Sequence, residues 1–170
     1  VLLEQNALTA GTTWHTAGML WRLRPDYVSV ELQAVTRARC KELEALVAEL
    51  EGEAPESRAG TVWTENGGLF IATNGERVAE YERLVELGKF YGVEAQMLGP
   101  LEARDVHPLL NVDDVAGALY SPGDGTIDAF NVVDGYRRVA QATHGAVFAE
   151  GARVSRIRCG GDGVEGVVLD

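Results

Sequence analysis

Val1-Leu2-Leu3-Glu4-Gln5, followed by Asn6-Ala7-Leu8-Thr9-Ala10-Gly11-Thr12-Thr13-Trp14-His15-Thr16-Ala17-Gly18, is the stretch on which the fold of this chain turns. A short apolar run that stops on an acid and gives way to glycines and hydroxyls is how the second strand of a dinucleotide-binding fold ends. In such a fold, Glu4 would accept hydrogen bonds from both hydroxyls of an adenosine ribose, a bidentate geometry that suits an ionised carboxylate. Gly11 and Gly18 would let the backbone come close to a ligand. Thr9, Thr12 and Thr13 offer hydroxyls and amides to anionic oxygens. His15 sits in the middle of the loop with an imidazole whose ring nitrogen can act as a nucleophile.

The loop resembles that of the dimethylglycine and sarcosine dehydrogenases, flavoproteins of the D-amino-acid-oxidase-like (DAO) superfamily. The segments Asn66-Gly67-Gly68-Leu69-Phe70-Ile71-Ala72, Leu109-Leu110-Asn111-Val112-Asp113-Asp114 and Asp124-Gly125-Thr126-Ile127-Asp128 resemble the same family, in the same order. The resemblance implies FAD as cofactor and places on His15 the histidine that is bonded to the flavin 8α carbon, which prevents cofactor loss and raises the redox potential. It implies further flavin contacts from Gln5 near the adenine end, from Gly11, Thr12, Thr13, Trp14, Thr16, Ala17, Gly18 and Met19 along the pyrophosphate, ribityl chain and ring, and from the main chain of Val154 at the adenine edge. Trp14 is read equally well as a flavin neighbour or as ordinary core. The implied activity is hydride transfer from the C–N carbon of a small N-methylated amino acid to the flavin. Electrons would leave to an electron-transfer flavoprotein or to oxygen, and a folate in a further C-terminal domain could take the one-carbon unit. The same family also includes a non-catalytic regulatory subunit of pyruvate dehydrogenase phosphatase, which implies an interaction module as the alternative. No catalytic residue is assigned within these 170 residues.

The chain begins on Val1 inside a strand and ends at Asp170 after another, so it reads as a piece of a longer protein. The first strand of the nucleotide fold and its Gly-x-Gly-x-x-Gly turn, which belong roughly 20 residues before the ribose acid, would lie upstream. The 170 residues alone are therefore expected to bind FAD poorly or not at all. A net charge of −11 argues against nucleic acid, whose phosphates need clustered Lys and Arg. Cys40 and Cys159 form no metal spacing and fit a reducing compartment: cytoplasm, or the mitochondrial matrix in a eukaryote. His107 before a proline and His144 at a helix end read as structural residues, so no metal site is expected. No apolar run approaches the ~18 residues of a membrane span.

Periodicity predicts a helix from Asp26 to about Glu51 with Val28, Leu32, Val35, Leu43, Leu46, Val47 and Leu50 inward. A surface connection over 52–60 follows. Thr61–Thr64 and Gly68–Thr73 around Asn66-Gly67 predict a β-hairpin. A helix over 75–91 is expected to bury Val78, Tyr81, Leu84, Val85 and Phe90, with Asn74 and Gly92 as caps. Further elements are a strand at 93–98, a helix at 101–107, a strand at 115–121, a turn at 122–125, a helix at 129–143 burying Phe130, Val133, Tyr136 and Ala140, and strands at 146–149, 152–158 and 164–169. The fold class is α/β, or α+β overall: part of a three-layer ββα FAD-binding domain (1–51 and 129–170, its first strand missing) and an antiparallel-sheet substrate domain (52–128).

Overall fold

A computed structural model describes residues 1–52 and 62–170. The predicted connection after Gly52 and the start of the predicted strand at Thr61 lie outside the described residues. The chain divides into two compact units, Val1–Ala17, Glu42–Val62 and Asp128–Asp170 in one, Gly18–Lys41 and Trp63–Ile127 in the other. Gly18–Lys41 lies in the second unit, where strand β2 (Met19–Leu20) pairs with β7 (Gly125–Ile127) and Leu23 and Val30 enter the core of Val93 and Leu119.

In the first unit, β1 (Leu2–Leu3) pairs in parallel with β8 (Phe148–Ala149), as a nucleotide-binding sheet requires. Helix α4 (Ala129–His144) returns the chain to β8. Asp128 opens it, Oδ1 accepting from Phe130 N at 2.9 Å and Asn131 N at 3.0 Å, and Gly145 closes it in the left-handed conformation. The residue of α4 that is buried is Gly135: a Cβ there would lie 3.2 Å from Leu43 and 3.3 Å from Val47, on the second half of helix α1 (Tyr27–Glu51). Phe130 and Tyr136, predicted inward, are largely exposed. The missing Cβ sets how closely the helices approach, so the packing face is centred on a residue that no hydrophobic count registers. Strands β9 (Val154–Gly160) and β10 (Gly163–Leu169) form an antiparallel hairpin.

The second unit is built of two three-stranded antiparallel sheets, β2-β7-β3 and β4-β6-β5, with β3 at Trp63–Thr64, β4 at Gly68–Ala72, β5 at Gln96–Leu98 and β6 at Gly117–Ser121. Helices α2 (Gly75–Tyr91) and α3 (Pro100–Val106) complete it. The predicted hairpin is a corner. β3 pairs with β7 and β4 with β6, so the chain changes sheet at Asn66-Gly67 just as it does again at Pro122-Gly123-Asp124. Gly67 has φ +78°, its N–H donates to the Asp124 carbonyl at 2.9 Å, and the Tyr120 ring covers its α-carbon. Asn-Gly supplies the left-handed backbone that a tight hairpin also needs, and long-range pairing decides between the two.

Helix α2 carries the predicted caps, Asn74 Oδ1 accepting from Arg77 N and Gly92 left-handed. Its inward line is Tyr81, Leu84, Val85, Gly88 and Tyr91 rather than Phe90, which is 83% exposed. Five residues past Val85, Phe90 has rotated about 140° away from that line. In α1 the buried residues are Val30, Cys40, Leu43, Val47 and Ala48, while Val28, Leu32 and Val35 face outward.

Glu65, at the corner, gathers Arg37 Nη2 at 2.5 Å, Lys41 Nζ at 2.9 Å and Trp63 Nε1 at 3.3 Å. The Lys41 and Arg37 donors hold its carboxyl down to about 2, against an ordinary 4.5. A depressed carboxylate contributes stability that is complete above 4.5 and fades as the pH falls towards 2. The side chain is 39% exposed, so screening limits the effect. Glu65→Gln is expected to cost about 1 kcal/mol in urea unfolding at pH 7, with the gap to the parent closing between pH 4.5 and 2. A gap that does not change with pH would assign the loss to packing alone.

Candidate functional site

The carboxyl end of β1 is fastened to the turn after β8. Glu4 N donates to the Ala149 carbonyl at 2.9 Å, Ala152 N donates to the Glu4 carbonyl at 2.8 Å, and Gly151 N donates to the Asn6 carbonyl at 3.1 Å. Glu4 Oε1 accepts from Asn6 N at 2.8 Å, a local bond that turns the chain out of the strand. Ligands of open α/β sheets bind in the crevice outside the carboxyl ends of the strands, and this is where Glu4 stands. Gln5 beside it is exposed. Val154 opens β9 two residues beyond Ala152, its register partner being Leu169.

The loop then runs through Thr9, whose φ of +73° places a β-branched residue in the left-handed region. Such a conformation persists where surrounding structure imposes it, and it is concentrated at ligand-binding loops. Thr9, Leu8, Phe130, Asn131, Arg137 and Glu150 line an open cleft of about 500 Å³ within the first unit. Arg137 is held in it by Asp134 at 2.5 Å and by Gln141 at 3.1 Å.

From Thr12 to His15 the chain makes one 3-10 turn, which the sequence reading did not foresee. A Cβ on Gly11, just before it, would meet no atom within 4 Å, so the backbone there is open to a ligand. Thr12, Trp14, His15, Thr16 and Ala17 are exposed and Thr13 is half-buried. Trp14 is 67% exposed, with its ring edge-on to Phe130, centroids 5.9 Å apart and planes at 81°. It is therefore not a core residue. The open α-carbon, accessible hydroxyls and exposed imidazole fit a flavin nucleotide laid along the loop.

Gly18 and Met19 belong to the second unit. Gly18 has φ +70° and its carbonyl accepts from Ile127 N at 2.7 Å; a Cβ would strike the Ile127 carbonyl. The strand pairing therefore accounts for this glycine by itself. Met19 is 55% exposed opposite Thr126. Nearby, Asp124 is wholly buried, with Oδ1 accepting from Arg22 N and Ser121 Oγ, both at 2.9 Å. Burial pushes its carboxyl above the usual range. Its Oδ2 has no hydrogen-bond partner among the described residues. Sequence reasoning took Asp124 for a turn residue and missed that it ties β2 to the sheet corner.

No cluster of metal-binding side chains occurs among the described residues, and no helix of theirs is long and apolar enough to cross a membrane.

Comparison with known proteins finds that the family model described as "DAO: FAD dependent oxidoreductase" matches residues 1–170. The chain is 49% identical to human mitochondrial sarcosine dehydrogenase over 158 residues, 93% of this chain and 16% of that protein. It is 30% identical to human mitochondrial dimethylglycine dehydrogenase over 165 residues, 96% of this chain and 18% of that protein. The glycine oxidase structure from Geobacillus kaustophilus superposes with a TM-score of 0.78 at 27% identity, over 99% of this chain and 43% of that one. The chain thus spans about one sixth of the curated relatives' length.

Proposed function

The chain belongs to the DAO family of FAD-dependent oxidoreductases, and from that premise we propose that the whole protein oxidises the C–N bond of a small N-methylated amino acid of the sarcosine or dimethylglycine type. The observation that carries this reading is the 49% identity to a sarcosine dehydrogenase across nearly the whole chain. Beside it stands the loop itself, where His15 is exposed and a Cβ on Gly11 would meet no atom within 4 Å. The flavin, when bound, supplies the two-electron redox chemistry. The chain's own residues bind and orient it. Glu4 takes the ribose hydroxyls, Gln5 and the Val154 main chain lie at the adenine end, and Gly11, Thr12, Thr13, Trp14, Thr16, Ala17, Gly18 and Met19 follow the rest of the molecule. Residues 1–51 and 129–170 supply the FAD-binding part, and 52–128 the substrate-domain part.

His15 is proposed to hold the cofactor covalently. One imidazole nitrogen would give its lone pair to the 8α carbon, and the other would release its proton to solvent. The flavin would supply the electrophilic carbon and take up the two electrons of the C–H bond exchanged there, for the protein's electron acceptor to remove. That acceptor is an electron-transfer flavoprotein or oxygen. A folate bound by a C-terminal domain would receive the one-carbon unit. The compartment is the cytoplasm or the mitochondrial matrix.

The test is turnover by the full-length protein. Sarcosine or dimethylglycine is expected to reduce an artificial electron acceptor with release of the demethylated amine. If no N-methyl amino acid reduces the dye while the flavin is present and oxidised, the dehydrogenase reading fails and the regulatory-subunit reading takes its place.

A further inference from the structure

We propose that Phe130 is a positioning residue for His15: through the edge of Trp14, its ring holds the 3-10 turn in the orientation from which the imidazole is joined to the flavin. The inference rests on the covalent role of His15 and deepens it, by naming what aims the nucleophile.

The turn is weak by itself. It has four residues, no side-chain cap, and backbone hydrogen bonds from Trp14 N to the Gly11 carbonyl at 3.2 Å and from Thr16 N to the Thr13 carbonyl at 3.4 Å. Such short 3-10 pieces have poor hydrogen-bond geometry and take their orientation from what surrounds them. Among the surrounding groups is the Phe130 ring, at 5.9 Å and 81° from that of Trp14, the edge-to-face arrangement that aromatic quadrupoles favour. At three residues per turn, adjacent side chains diverge by about 120°, so a Trp14 ring pinned on one side sets the direction of His15.

Phe130, in contrast, is anchored. It stands in the first turn of α4, where its N–H donates to Asp128 Oδ1, while Asp128 N donates to the Val62 carbonyl at 3.0 Å. Five residues further, Gly135 seats the helix against Leu43 and Val47. Trp14 and Phe130 are 67% and 43% exposed, far more than a pair that exists for burial. A large aromatic pair held at the surface beside a reactive imidazole has little to do for the core. It has much to do for the geometry of attachment, where misplacement of a nucleophile by an ångström is costly.

The experiment uses full-length protein and follows flavin that survives acid precipitation, alongside total flavin released and bound. Phe130→Ala is expected to slow covalent attachment about two- to tenfold, the range of a lost aromatic pair, at unchanged total flavin. Phe130→Tyr, which keeps the ring, is expected to restore it, and Phe130→Leu, which keeps only the bulk, is not. Equal attachment in Phe130→Ala and the parent overturns the proposal. So does a loss of total flavin in step with covalent flavin in Ala, Leu and Tyr variants alike, which would make Phe130 merely structural. If the parent itself carries no acid-stable flavin, it is the reading of His15 that has failed.

Discussion

Replacing His15 by alanine in the full-length protein is expected to abolish acid-stable flavin. After precipitation in acid and washing, the parent polypeptide is expected to keep its flavin fluorescence, and the His15→Ala polypeptide to keep none. The size of the effect follows from chemistry: alanine has no lone pair to give to the 8α carbon, so attachment is removed rather than slowed. Stability offers no competing explanation. The imidazole is exposed at the end of a 3-10 turn, and substitutions at such positions usually change stability by no more than about 0.5 kcal/mol. Thermal unfolding of the variant is therefore expected to match the parent once both are compared without flavin. Fluorescence of equal intensity remaining with the His15→Ala chain would move the linkage to another residue or remove it.

That expectation was legible in the sequence because the loop from Asn6 to Gly18 is written in residue types with specific backbone and chemical uses. The end of β1 was legible for the same reason, as a β-forming run stopped by Glu4. What aims the loop was not legible. Phe130 lies more than a hundred residues from Trp14 in the chain, and in a helix its spacing to Val133 looks like one more core contact. Thr9 carries no mark of its left-handed backbone either, since no local rule places threonine there. Gly18 carries a second demand that the local sequence does not show. A glycine in a ligand loop suggests close approach of a cofactor, yet the carbonyl of Ile127 already requires it.

In the fold, local signals served well wherever one residue does one local job. Asn74, Gly92, Asp128 and Gly145 cap their helices as their side chains and φ preferences dictate. They misled where a long-range partner competes. Trp63-Thr64 and Gly68–Ala72 have the composition of a hairpin, but each finds a strand on either side of Pro122-Gly123-Asp124. The outward Val28, Leu32 and Val35 repeat at helical spacing as well as Val30 and Cys40 do, so periodicity alone could not say which line is buried.

The sheet that this pairing creates leads to the second large effect, at Gly125, the residue of β7 opposite Leu20 in β2. A Cβ at this position would lie 2.7 Å and 2.8 Å from ring atoms of Trp63 and closer still to the Thr64 carbonyl oxygen. Neither neighbour can yield cheaply. Thr64 is paired with Thr126 in the ladder, and Trp63 is 6% exposed, with Arg37 over its ring at 5.9 Å and Nε1 directed to Glu65. Gly125→Ala is thus an overpacking change against backbone and a buried indole, and it is expected to cost about 3 kcal/mol, the upper end of the usual range. Against total stabilities of about 5–15 kcal/mol that is a large share. The urea midpoint should fall accordingly, with Trp63 fluorescence reporting a more exposed ring. Gly161→Ala serves as control, because a Cβ there meets nothing within 4 Å and its backbone is not left-handed; it is expected to change stability by less than about 0.5 kcal/mol. If both variants unfold with the parent, the indole has moved aside at little cost. The β2-β7-β3 sheet would then depend on its hydrogen bonds and not on the closeness of Trp63 to the central strand.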